Sequence, residues 1–125
     1  MSQQIDGPVK SYRANAAIGQ YRRAKFSSGK LVVAGETDRD IGTTIAEAFA
    51  ADEVIGLELY TKQGTKKFVA GGNITQGALI YSAADGEVLA TQATGAYLCG
   101  VALEAAADGD VFEAQAIFGE VPKPA

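Results

Sequence analysis

The chain contains no histidine, one cysteine and only three prolines in 125 residues. Without histidine it lacks the commonest general base, proton shuttle and metal ligand of neutral pH. A serine or cysteine nucleophile would need some other base, and neither a Ser-x-x-Lys spacing nor a glycine-flanked nucleophile elbow is present. The lone Cys99 excludes an internal disulfide and a cysteine-built metal cage; inside an apolar alternation its default role is that of a small buried hydrophobe. Long apolar runs are missing too, with nothing near bilayer length and no charged-then-apolar segment at the start. A soluble, unexported protein with no membrane partner is expected.

Positive charge is also scarce. Eleven Lys and Arg stand against fifteen Asp and Glu, a net charge of -4, and neutralising phosphates takes a basic face, so a general nucleic-acid binder is disfavoured. The basic clusters, Arg22-Arg23-Lys25 and Lys62 with Lys66-Lys67, carry few interleaved aromatics and read as solvated strand faces and a charged turn, with docking onto an acidic protein surface as the alternative. Gly71-Gly72-Asn73 lacks the lysine and helix of a phosphate-cradling loop. The carboxylate pairs Asp38/Asp40 and Asp108/Asp110 could hold Ca²⁺ or act as an acid and base. Their spacing is not that of an EF-hand loop, however, and Asp-Gly-Asp is ordinary turn chemistry. No catalytic residue, cofactor or metal is assigned.

What the chain has is glycine, 15 of them, and 47% hydrophobic residues against 21% charged, the balance of a single globular domain with many tight turns. Two of the three prolines fall in the last four residues, leaving the interior free for strand ladders.

It also has an internal repeat, the first thing to look for in a fold assignment. Cys99-Gly-Val-Ala-Leu-Glu-Ala-Ala-Ala-Asp-Gly-Asp-Val-Phe echoes Ile41-Gly-Thr-Thr-Ile-Ala-Glu-Ala-Phe-Ala-Ala-Asp-Glu-Val-Ile. Gly42 falls on Gly100 and Ile45 on Leu103; after a one-residue slip, Glu47 falls on Glu104, Glu53 on Asp110 and Val54 on Val111. Upstream, Gly19 falls on Gly77, Gly29 on Gly86 and Leu31 on Val88. Two related halves, about 16–56 and 74–113, follow.

Taken in order, residues 1–15 read as an extended arm in which Ile5, Pro8, Val9 and Tyr12 are candidate partner contacts. Residues 16–118 form a β-rich domain and 119–125 a tail. Ala16 to Phe26 is a candidate strand that turns at Ser27-Ser28-Gly29. Thr44 and Glu47 fit a capping box, so Thr44–Ala51 is open between a helical turn and a strand. Val54 to Tyr60 alternates with Ile55, Leu57 and Leu59 on one side, as a half-buried strand does. Asp85-Gly86 between apolar runs is the strongest hairpin signal. Tyr97, Cys99 and Val101 alternate against Leu98, Gly100 and Ala102, and Phe112, Ala114, Ala116 and Phe118 share a face. A mainly β fold results, a small barrel or sandwich with at most one or two short helical turns.

The order Ala16-Ala-Ile-Gly, Ile74-Thr-Gln-Gly-Ala-Leu-Ile-Tyr, Ala84-Asp-Gly-Glu-Val, then Gly100-Val-Ala-Leu with Ala106-Ala-Asp-Gly-Asp-Val resembles the capsid decoration proteins of tailed bacteriophages, also called cement or head-stabilisation proteins. The resemblance spans about Tyr12 to Phe118. It implies a β-tulip-like domain that binds the outside of a capsid shell and stabilises it, with no enzymatic activity and no cofactor. Its partners would be the major capsid protein and further copies of itself, commonly as trimers, with the N-terminal segment gripping the shell. The virion surface would be its location, after synthesis in the host cytoplasm. The competing reading is a cytoplasmic small-ligand or cofactor-carrying β-barrel, suggested by turn-borne Gly-Asp pairs; the Asp85-Gly86 tip lacks the lysine such carriers present.

Overall fold

The computed structural model describes residues 9–60 and 65–117. Ten strands are found among them. The first five are β1 (Val9–Arg13), β2 (Arg23–Ser27), β3 (Lys30–Val33), β4 (Gly42–Thr44) and β5 (Val54–Leu59); the second five are β6 (Thr65–Val69), β7 (Leu79–Ser82), β8 (Val88–Leu89), β9 (Leu98–Ala102) and β10 (Val111–Ala116). They build two antiparallel sheets of identical topology, ordered β1-β5-β4-β2-β3 and β6-β10-β9-β7-β8. In the first, β1 meets β3 only at a single parallel bridge, Ala14 to Leu31, and Ala70 to Val88 repeats it in the second. Each sheet therefore curls without closing, and the fold is of the sandwich class, not a closed barrel.

The halves correspond residue by residue. Ile18 and Ala48 exchange backbone hydrogen bonds of 2.9 and 2.8 Å, as Ile74 and Ala106 do at 2.8 and 2.9 Å. Each curled sheet wraps its own apolar cluster. Ala14, Ile18, Ala24, Leu31, Ile55 and Leu57 line the first, where Ala70, Ile74, Ile80, Val88, Phe112 and Ala114 stand in the second. Ala24 with Leu57 becomes Ile80 with Ala114, a redistribution of volume that keeps both small cores filled. Gly42 and Gly100 are glycines because β4 and β9 run so close to the next strand that a Cβ would strike the carbonyls of Glu58 and Gln115.

Two of the repeat matches shift. Tyr21 N–H donates to Thr44 O and Gly77 N–H to Ala102 O, both at 2.8 Å, and both residues have a left-handed backbone, φ 60 and 86. Gly77 thus corresponds to Tyr21, not Gly19. Because Ala48 and Ala106 correspond, Glu47 faces Ala105, not Glu104, and the one-residue slip falls between Ala48 and Asp52.

Local expectations shift as well. The first strand after Tyr12 covers only Arg23–Ser27. Thr44–Ala51 forms no helix: the Thr44 hydroxyl, instead of capping, donates to Gly19 O at 2.7 Å and accepts from Arg22 N–H at 3.1 Å. The one helical turn among the described residues, a 3-10 turn at Ala84–Gly86, closes the predicted β7–β8 hairpin, with φ of 57 and 72 at Asp85 and Gly86. The alternation in β9 is broken by a register shift against β7, so Cys99 and Ala102 both reach the core. Residues 1–15 are not all arm, since Val9–Arg13 is the edge strand paired with β5. Phe118 and the tail lie outside the described residues.

Candidate binding surface

Neither basic cluster is wholly a solvated face. Arg23 is 0% and Lys66 1% exposed, because both lie where the halves meet. Arg23 donates from Nε to Glu87 O at 2.9 Å and from Nη2 to Ala83 O at 2.6 Å, both in the second half, and its Nη1 lies 3.3 Å from Asp40 Oδ1. Arg39 also binds Asp40 Oδ1, at 2.6 Å, and reaches Tyr60 Oη at 2.8 Å and Leu98 O at 3.1 Å. Lys66 Nζ donates to Glu58 O at 2.8 Å and sits 4.2 Å from the centre of the Tyr60 ring. Ser82 Oγ donates to Glu36 O at 2.6 Å. Strand-end carbonyls of both halves are buried here, and a buried acceptor left unpaired costs about 1–3 kcal/mol. A guanidinium with five donors in a fixed fork satisfies several at once. The structure uses these cations as mortar between two modules.

This seam holds its acidic protons tightly. Burial pushes the Cys99 thiol up from its ordinary value, with the Asp40 carboxylate adding to it. Loss of hydration, again helped by Asp40, raises the Tyr60 phenol well above its own. A protonated, buried thiol and phenol are poor nucleophiles. The carboxylate pairs are used structurally: Asp40 between two arginines, Asp38 on Lys25 at 2.9 Å and Gly35 N–H at 2.8 Å, and Asp110 on Ala107 N–H at 3.0 Å. Among the described residues no cluster of three metal-ligating side chains is found.

Some large apolar side chains face outward. Phe49 is 75% and Val54 59% exposed at the β4–β5 turn; Leu103 and Val111 are exposed at the matching β9–β10 turn, where Ile45 and Val54 are their counterparts. The turns are braced by side-chain hydrogen bonds. The Glu53 carboxylate accepts from Phe49 N–H at 2.6 Å and Ala50 N–H at 2.7 Å, the part Asp110 plays in the second half. Phe49 lies in the Thr44–Ala51 stretch that the sequence leaves open between a helical turn and a strand, so local pattern alone does not show its exposure. The alanine-rich second copy at this place was the available signal that Phe49 fills no conserved core position of the repeat.

Of the four predicted contacts, Ile5 and Pro8 lie outside the described residues. Val9 and Tyr12 are in β1 opposite Glu58 and Ile55. Tyr12 stacks edge-on against Phe26, ring centroids 4.8 Å apart, and packs on the first core cluster, so it helps hold the sheet together.

The family model for phage cement proteins matches residues 14–117. The chain belongs to the phage cement protein family. This makes it a phage structural protein associated with the capsid. The cement-protein fold is shared with a solved structure, the head fiber gp8.5 N base of bacteriophage phi29, at a TM-score of 0.73 and 18% identity over 90% of this chain and 96% of that one. No curated protein matches.

Proposed function

We propose that this cement protein binds the outer surface of a phage capsid shell, with the major capsid protein as its partner, and stabilises the assembled shell without catalysing a reaction. The observation that carries the reading is the family match over 14–117. The surface supports it: hydrogen-bonded turns present apolar side chains in matched positions of both halves, while the reactive groups are buried in the seam. A ligand that binds the assembled lattice and not its free subunits shifts the equilibrium toward assembly, and many modest sites on one lattice act together. The protein works as copies on the virion surface, with trimers favoured, after synthesis in the host cytoplasm. The contact is made by Phe49 and Val54 together with the segment ahead of β1 that holds Ile5 and Pro8. Val9 and Tyr12 contribute by anchoring that segment to the sheet. The carrier-domain alternative needs a hairpin tip open to solvent, and Gly86 is buried against the first half.

The test mixes purified protein with expanded, undecorated capsids and images them. Regular added density at local symmetry axes is expected; no binding at any salt concentration would overturn the reading. Phe49→Glu should lower occupancy at least about tenfold, the effect of losing a well-packed aromatic anchor, while leaving the unfolding midpoint within error. Removal of residues 2–8, which spares β1, should weaken attachment in the same assay.

A further inference from the structure

The β7–β8 tip of the second half enters a slot on the first: Gly86 N–H donates to Ala34 O at 2.8 Å, and Arg22 Nη1 donates to Asp85 O at 3.1 Å. The fit leaves no room for a Cβ at Gly86, which would come 2.7 Å from Val33 Cγ2 and 3.0 Å from Arg23 O. Contacts of this kind, in which a tip on one unit fits a slot on the next, are heterologous. They leave one unused tip and one unused slot at the two ends of the row.

Both are present. The unused tip is Ser28-Gly29, whose φ values of 53 and 79 match the 57 and 72 of Asp85-Gly86; nothing lies within 4 Å of a Cβ built on Gly29. The unused slot is on the second half, where Ala78 and Leu79 replace Arg22 and Arg23 and where Ala90 and Thr91, both exposed, replace Val33 and Ala34. The chemistry changes on both sides together. Beside the used tip stands Ser82, hydrogen-bonded across the seam; beside the unused tip its counterpart is Phe26, 45% exposed. In the used slot the anchor is Arg23; in the unused slot it is Leu79, 47% exposed. The arginine of the used slot gives way to an exposed Leu79, and the serine beside the used tip to an exposed Phe26.

The relation between halves is also a rotation. Thr37 and Gly95 are repeat counterparts, and a Cβ on Gly95 would come 3.0 Å from Thr37 Cγ2. Arg39 and Tyr97 are counterparts as well, and the guanidinium lies 5.2 Å from the ring centre. Counterparts touch each other only close to the axis that relates them. Repeating a heterologous contact about such an axis closes a ring, provided the angle allows, in place of an open filament.

We infer that the protein assembles with itself by placing the Phe26/Ser28-Gly29 tip of one copy in the Leu79/Ala90/Thr91 slot of the next, continuing the contact already made within the chain. This goes beyond the capsid-binding reading, because it names the surface between copies and holds in solution without a shell. The oligomer is tested by native mass spectrometry and light scattering of the full chain. The wild type is expected as one discrete multiple of the chain mass. Leu79→Glu should reduce it to single chains of unchanged circular dichroism. Phe49→Glu should leave the mass unaltered. A wild type that stays single at high concentration, or a Leu79→Glu variant of unchanged mass, would overturn the inference. Loss of capsid binding with the ring intact would instead strike only the capsid reading.

Discussion

In the first half Arg22 and Arg23 lead into β2; in the second, Ala78 and Leu79 stand at the same two places before and in β7. Around them the halves agree in strand order, register, bridges and turn backbone, so the change is confined to what each module must touch. Where one module meets the other inside the chain, buried carbonyls call for cations. At the corresponding surface of the second half, which is open in the single chain, Leu79 stands 47% exposed in place of that cation. A repeat of this sort separates residues that make the fold, which recur, from residues that make an interface, which do not.

The largest effect should come from moving a residue across that divide. Arg23→Leu installs the second half's own residue but strips Asp40 of one buried cation, removes the side-chain donor to the buried Ala83 carbonyl, and leaves Glu87 O with Ala83 N–H alone. Breaking a buried charge pair costs about 3–5 kcal/mol. The reverse substitution, Leu79→Arg, alters an exposed site and should change stability by no more than about 0.5 kcal/mol. Urea unfolding at a dilution where the chain is single compares them. Equal effects would mean that the seam does not carry the difference between halves.

A smaller contrast separates the two tips. Ala at a left-handed position costs about 1–2 kcal/mol, and Gly29→Ala, with open space around it, should cost that alone. Gly86→Ala adds overpacking against Val33 and Arg23, about 1–3 kcal/mol more. The two unfolding midpoints should therefore differ at constant denaturant slope. If they coincide, the used tip is not gripped as tightly as the geometry requires.

Much of this was legible in the residues. Gly42 and Gly100 marked the repeat because close strand approach forbids a side chain at both. Asp85-Gly86 marked a hairpin because its backbone needs positive φ. Val54 to Leu59 showed its period-2 alternation. Less legible were features that depend on long-range placement. Tyr21 hid its equivalence to Gly77 because a left-handed tyrosine leaves no glycine to align. Arg23 and Lys66 read as surface charges, since burial of a cation depends on carbonyls some sixty and eight residues away in sequence. Phe49 and Glu47 looked helical because the capping pattern is local, whereas the Thr44 hydroxyl is claimed by Gly19 and Arg22 across the sheet.

The finest comparison concerns Asp38, whose counterpart is the buried Ala96. Both sit in the same turn: Asp38 N–H reaches Gly35 O at 3.3 Å and Ala96 N–H reaches Ala93 O at 3.0 Å. Only the first half therefore carries a titrating group there. The hydrogen bond from Lys25, then that from Gly35 N–H, holds the Asp38 carboxyl below its ordinary value. A carboxyl that is more acidic folded than unfolded adds stability above the unfolded value. That stability is lost as pH falls through the folded one, because the unfolded chain then takes up the proton first. Lys25 and Asp38 are 37% and 32% exposed, so solvent screening limits the pair to less than about 1 kcal/mol. Asp38→Asn should lower stability slightly at pH 7 and flatten its decline below about pH 4, with the two curves converging in acid. Parallel curves over that range would mean that the turn is held by its backbone alone, as at Ala96, and that the first half's carboxylate adds nothing the second half lacks.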